Sequence, residues 1–200
     1  MSHYFENDEK VESKRHEVKY YLRDKELIFE SDSGVFSKNA VDFGTRTLID
    51  YLLDQPLEGC GLDLGCGIGV IGICLMLFKD VKVDMVDVNR RAIALTEENS
   101  KRYNLPKTEI KESNICENVS KKDYDFVVTN PPIRAGKKVV YAFFEGAYSH
   151  LRRDGALFVV IQKKQGAPSA KDKLNEIFGN CEIVDRNKGY YLLKAVKKED

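Results

Sequence analysis

The sequence predicts an α/β fold: a seven-stranded, mostly parallel sheet ending in an antiparallel hairpin, preceded by a short β-hairpin. Three observations predict it. From Gly59 onward, short apolar runs alternate with stretches of helical period, the pattern of parallel strands joined by crossover helices. A turn with glycine at alternate positions, Gly65-Cys66-Gly67-Ile68-Gly69, joins the first such run to the first such helix. The last two apolar runs are separated only by Arg186-Asn187-Lys188-Gly189, too little chain for a parallel crossover.

Taken in order, residues up to about Glu12 are polar and are expected to fray. Val18-Lys19-Tyr20-Tyr21-Leu22 and Glu26-Leu27-Ile28-Phe29 flank Arg23-Asp24-Lys25 as a hairpin would. A loop with Gly34 follows, and apolar residues at helical spacing (Phe43, Leu48, Tyr51, Leu52) predict a helix over 43–53, ending before Pro56. Strands are predicted over 61–64, 82–88, 108–111, 125–129, 156–162, 181–185 and 190–196. Helices are predicted over 70–78, 90–102, 139–151 and 170–178, the last capped by Ser169 with Asp172 three residues on. Residues 1–55 read as an N-terminal extension packed on the core, and 56–200 as the domain that carries the chemistry.

With 42% hydrophobic and 32% charged residues the chain has the composition of a soluble globular protein, and no repeat or low-complexity run interrupts it. Its longest apolar stretches are about half of what a membrane-crossing helix needs, and the start has no signal-peptide architecture, so a cytoplasmic location is expected. Five cysteines without a Cys-x-x-Cys pair and three scattered histidines give no metal-ligand spacing; reduced, mostly buried thiols and metal-free chemistry are expected. The formal net charge is zero, but from Pro131 to Leu174 nine basic residues face three acidic ones. That local excess fits either solvated helix ends or a surface for phosphates.

Leu62-Asp63-Leu64-Gly65-Cys66-Gly67-Ile68-Gly69-Val70-Ile71-Gly72 runs from strand to helix, and only backbone without Cβ lets a ligand come so close. Gly67-x-Gly69-x-x-Gly72, with Asp87 twenty positions after Gly67, also fits a dinucleotide fingerprint. Asp63 discriminates, because an acidic side chain at the strand tip repels a pyrophosphate and prefers a cation. The ammonium and sulfonium of S-adenosylmethionine supply positive charge. Asp87 can accept from both ribose hydroxyls, each such charged bond worth roughly 1.5 to 3 kcal/mol.

Downstream, the buried run before Asn130-Pro131-Pro132-Ile133 delivers this loop to the carboxyl edge of the sheet, where open α/β folds bind ligands. An amino nitrogen conjugated to a ring or carbonyl is a poor nucleophile because its lone pair is delocalised. The Asn130 side-chain oxygen and the Pro131 carbonyl can each accept from such a group, favouring a pyramidal nitrogen aimed at the methyl. Consecutive prolines fix φ and bias Asn130 away from helix, so the carbonyl is held in place. In-line orientation can contribute on the order of 7 to 11 kcal/mol, so no strong base is required.

These two segments resemble class I S-adenosylmethionine-dependent methyltransferases, whose first motif reads acidic-x-Gly-x-Gly-x-Gly and whose second strand ends in a ribose-binding acid. The resemblance implies their Rossmann-like fold, and cofactor contacts at Asp63, Gly65, Gly67, Gly69, Asp87 and Asn130. It also implies a polar adenine contact near Ser113-Asn114, assigned to Asn114, with Val88 and Ile115 sandwiching the adenine ring. Asn130, Pro131 and Pro132 take the catalytic positions. Asn-Pro-Pro-Ile followed by the basic, glycine-containing Arg134-Ala135-Gly136-Lys137-Lys138, together with Gly34-Val35-Phe36-Ser37 and Val41-Asp42-Phe43-Gly44-Thr45, is similar to the small-subunit ribosomal RNA guanine-N2 methyltransferases of the MTS-domain family. The similarity spans about residue 18 to the end. Well-known members carry a duplicated domain in front, where this chain has a short hairpin.

By that resemblance the partner is ribosomal RNA, with Ile133, Arg134, Lys137, Lys138, Lys163 and Lys164 holding substrate and Phe36 stacking on a flipped base or serving in the core. Two alternatives remain: a different amino acceptor, such as a protein glutamine amide or an adenine, and a module that binds cofactor or RNA without turnover.

Overall fold

The computed structural model describes residues 11–35 and 40–199. Strands buried on both faces must be apolar on both, and the central strands here meet that condition. Strand β3 (Gly59–Leu64), β4 (Val81–Asp87), β5 (Ile110–Glu112), β6 (Tyr124–Thr129), β7 (Leu151–Gln162), β8 (Glu182–Asn187) and β9 (Tyr190–Val196) form one sheet in the order β5-β4-β3-β6-β7-β9-β8. All neighbours from β5 to β7 are parallel, whereas β9 is antiparallel to both β7 and β8. Phe126 and Val128 face one apolar core and Val127 the other, the period-two alternation of a doubly covered strand.

One core receives α1 (Phe43–Leu53), α2 (Val70–Phe78) and α3 (Arg90–Arg102); the other receives α4 (Lys137–His150) and α5 (Ala167–Phe178). Helix α2 packs against both α1 and α3 as well as β4, which is why Val70 through Met76 are all buried and the helix is apolar all round. The chain runs outward from β3 to β5, returns to β6 beside β3, and then continues the other way. The carboxyl ends of β3 and β6 therefore flank a topological switch point, where such sheets open a crevice.

In front, β1 (His16–Leu22) pairs antiparallel with β2 (Lys25–Ser31). Val18, Tyr20, Leu22, Leu27 and Phe29 from this hairpin enter the same core as α1, α2 and α3. Each such side chain contributes roughly 1.5 to 3 kcal/mol by burial. Polar bonds fix the angle: Tyr103 donates through its hydroxyl to Ile28 O (2.9 Å) and accepts from Ile28 N (2.6 Å), and Asn99 brackets Glu30 in the same way.

Helices 43–53, 70–78 and 90–102 and strand 190–196 match the sequence expectation residue for residue. Other strand ends shift by up to two residues, and four further differences have a physical cause. Val11 and Glu12, expected to fray, are tied down: Arg91 donates twice to Val11 O, and Ser33 bonds Glu12 O. Strand β7 begins at Leu151, because Leu151 pairs with Tyr124 across a register shift; Arg152-Arg153-Asp154-Gly155 hid this in the pattern. Helix α4 accordingly ends at His150 and starts at Lys137. Helix α5 starts at Ala167 after Gly166 in the left-handed region (φ 107°), so Ser169 lies inside the helix and caps nothing.

Candidate active site

Strand β3 delivers the glycine turn to the switch point, and backbone bonds fold it over the tip of β4. Gly65 N and Cys66 N both donate to Val86 O at 2.9 Å. At φ 57° Gly67 takes a conformation that favours glycine, and a Cβ there would meet nothing within 4 Å, so its backbone borders open space. Gly72 serves packing instead: a Cβ would lie 2.6 Å from Met85 Sδ, so α2 approaches β4 this closely only with glycine.

The two acids of this region differ in surroundings. Asp87 accepts from Gly67 N through Oδ2 and from Asn89 N through Oδ1, both at 2.9 Å, and burial still pushes its carboxyl up. Asp63 is fully buried; Oδ2 accepts from Gly72 N at 2.9 Å, while Oδ1 has no partner. Burial pushes the Asp63 carboxyl up to about 7, with nearby Asp87 adding to the shift and the Gly72 bond opposing it.

Across the crevice Thr129 Oγ1 donates to Leu64 O at 2.7 Å, pinning the end of β6 to the end of β3. The next residue, Asn130, donates through Nδ2 to Thr45 Oγ1 (3.0 Å) and to Asp42 Oδ1 (3.2 Å) and Oδ2 (3.4 Å). Asp42 is the N-cap of α1, accepting from Thr45 N (3.1 Å) and Thr45 Oγ1 (2.6 Å). Because a carboxylate only accepts, the Asn130 nitrogen must face Asp42, and the planar amide carries Oδ1 on its other arm. After Pro131 and Pro132 the chain makes a 3-10 turn over Ile133–Ala135, whose bonds use the Pro132 and Ile133 carbonyls and leave that of Pro131 out.

Glycine turn, Asp87 and the Asn130 loop enclose a cavity of about 740 Å³, within the size range of small-molecule sites. Of the residues predicted from sequence, Gly65, Gly67, Asp87, Val88, Asn130, Pro131, Pro132, Ile133 and Arg134 line it. Asp63 and Gly69 lie behind the turn, and Gly69 begins α2 against Thr96. Asn114 and Ile115 stand outside the lining. Asn114 Nδ2 bonds Glu117 while its Oδ1 is buried without a partner, and Ile115 packs on the second core. Phe36 lies outside the described residues.

The expected basic excess divides in two. Arg152 and Arg153 sit at the amino end of β7, on the edge away from the cavity, with Arg152 paired to Asp125 at 2.6 Å. Lys173 is engaged by Glu176 and Glu145. Arg134, Lys137, Lys138, Lys163 and Lys164 remain at the carboxyl edge, all exposed, although only Arg134 reaches the cavity wall.

Sequence reasoning missed Gln162 and Tyr190 on that wall, placed Gln165 only among possible phosphate contacts, and gave Asp42 and Thr45 no role beyond the resemblance. Tyr190 gets there because the antiparallel register sets it opposite Gln162 at the carboxyl end of β7. Its ring lies 5.6 Å from that of Phe43. A polar residue at the end of a predicted strand was the only sign of Gln162.

Comparison with known proteins agrees with this geometry. The family model of the methyltransferase small domain matches residues 26–194. The chain is 48% identical over 197 residues to the uncharacterized protein YbxB of Bacillus subtilis, covering 98% of each. It is 30% identical to the ribosomal RNA large subunit methyltransferase G of Psychromonas ingrahamii, covering 84% of this chain but 45% of that protein. Among solved structures it resembles the Thermus thermophilus 16S rRNA N2 G1207 methyltransferase in complex with AdoMet and guanosine (TM-score 0.82, 25% identity, 92% of this chain and 51% of that one). The chain thus spans about half the length of the ribosomal RNA methyltransferases it matches.

Proposed function

The chain belongs to the methyltransferase small domain family, and from that premise we propose that it methylates the exocyclic N2 of a guanine in small-subunit (16S) ribosomal RNA. The observation that carries this reading is the Asn130 carboxamide, its nitrogen held by Asp42 and Thr45, set across the switch point from the glycine turn.

S-adenosylmethionine, the cofactor of the family, supplies an electrophilic methyl on a sulfonium sulfur. The residues present fit it. Gly67 borders open space on the cavity side, and just behind the turn the buried Asp63 Oδ1 has no partner, an acceptor and a negative charge for the cofactor's ammonium. In this reading Asp63 supplies negative charge beneath the turn, Gly65, Gly67 and Gly69 give close backbone approach, and Asp87 accepts from the ribose. Val88, on the cavity wall, flanks the adenine, whereas the adenine contacts implied for Asn114 and Ile115 lie beyond that wall.

For transfer, Asn130 Oδ1 and Pro131 O accept the two N–H bonds of the guanine amino group and localise its lone pair. With the cofactor bound, the nitrogen would take the methyl as the C–S bond breaks, its electron pair staying with sulfur, and the surplus proton on nitrogen would leave to solvent. In this reading Arg134, Lys137, Lys138, Lys163 and Lys164 hold phosphates of a bound RNA and Ile133 packs against the base, and ribosomal RNA as substrate goes with a cytoplasmic location. Guanine is favoured by the Ile133 and basic-turn combination, and by the guanosine carried by the similar structure.

The test is incubation of the protein with methyl-labelled cofactor and purified 16S or 23S ribosomal RNA, followed by digestion to nucleosides. Label in N2-methylguanine from 16S RNA is expected. Label on an adenine, in 23S RNA or in protein glutamine would overturn the acceptor, and product binding without any transfer would make the chain a binding module.

A further inference from the structure

We propose that Asp42, acting through Thr45, is a positioning residue for methyl transfer: it fixes the orientation and polarity of the Asn130 carboxamide. The inference rests on the function proposed above for the same site. A carboxamide has two arms of nearly equal size and can flip. Flipped, Asn130 would turn its NH2 toward the acceptor amino group, donor against donor, and methyl transfer would lose its partner.

The contacts exclude that state. Asp42 can only accept, and it takes Thr45 N (3.1 Å), Thr45 Oγ1 (2.6 Å) and Asn130 Nδ2 (3.2 Å and 3.4 Å). Since the Thr45 hydroxyl spends its one proton on Asp42, only a lone pair remains for Asn130, which must donate at 3.0 Å. Every proton in the relay therefore points toward Asp42. A carboxylate drawing on the NH2 arm also polarises the amide and enriches Oδ1 in negative charge, so it accepts more strongly from the nucleophile. Asp42 and Thr45 both line the cavity, and both are placed by the start of α1 rather than by the sheet. Asn130 is thus braced by an element 85 to 88 residues away in sequence.

The test uses the whole chain and four variants. Asp42→Asn keeps a good helix cap but lets position 42 donate as well as accept; Thr45→Val keeps the shape and removes the hydroxyl; Thr45→Ser restores it. Asn130→Ala assigns the Asn130 side-chain amide signals in a nitrogen-15 spectrum. In the wild-type protein those amide protons are expected to exchange slowly with water. In Asp42→Asn and Thr45→Val they should exchange fast, with S-adenosylhomocysteine affinity unchanged and single-turnover methyl transfer slowed roughly 10- to 100-fold. Thr45→Ser should recover both signals and rate. Unchanged Asn130 signals in Asp42→Asn, or altered signals with an unchanged rate, would overturn the inference. If the wild-type protein methylates no RNA, the proposed substrate fails while the amide signals still decide this inference.

Discussion

In the proposed function one buried side chain, Asp63, links stability to cofactor binding. With its carboxyl raised to about 7, the folded protein binds that proton more tightly than the unfolded chain does. Its contribution to stability is therefore complete below the ordinary carboxylate range and is lost as pH rises toward 7. A cofactor ammonium favours the opposite, ionised form. S-adenosylhomocysteine affinity should consequently rise several-fold from about pH 6 to about pH 7.5, and Asp63→Asn should flatten the profile; calorimetry at the two pH values checks both, and a flat wild-type profile would contradict the role. Asp63 and Asp87 were legible in the sequence because both follow from spacing along one strand–turn–helix–strand unit. Asp42 and Thr45 were not, beyond the Val41–Thr45 segment that carried a resemblance: their contact with Asn130 joins segments far apart in sequence, and the structure shows Asp42 as the cap of α1.

Elements were legible where chain chemistry punctuates them. Glycine at φ 86° starts α2, the Asn89 side chain caps α3, and each has unbroken helical spacing behind it. Charged stretches concealed the rest. The start of β7 is written in arginine and aspartate, and α4 opens on Lys137 and Lys138 with no acidic residue in its first turn. Two cations at a helix amino end oppose the helix dipole, an arrangement without benefit to folding. In the proposed function they contact phosphate. The double change Lys137→Ala, Lys138→Ala should leave cofactor affinity unaltered and thermal stability equal or slightly higher, weaken RNA binding, and lower its salt slope by about two. An unchanged slope in salt-series binding measurements would remove these lysines from the interface.

At the scale of the molecule, the front hairpin and one face of the sheet share one core, and the family match at residues 26–194 takes in most of β2 and the sheet but begins after β1. Sequence periodicity foretold the sheet and its closing hairpin, but the seating of β1 and β2 on α3 depends on side chains such as Tyr103 that carry no local signal. Calorimetry should therefore show a single unfolding transition, and Tyr103→Phe, which removes two bonds to Ile28, should lower stability by about 1 to 3 kcal/mol without dividing it; two transitions in the wild-type protein would contradict the shared core. In the proposed function the cavity at the switch point divides its work the same way, with cofactor on the β3–β4 side and chemistry on the β6 side. The most direct test is Asn130→Ala beside Asp87→Ala, each measured for S-adenosylhomocysteine binding and for single-turnover methyl transfer. Asn130→Ala should bind normally and lose transfer by about 100-fold or more, and Asp87→Ala should lose binding. Full transfer by Asn130→Ala would contradict the account.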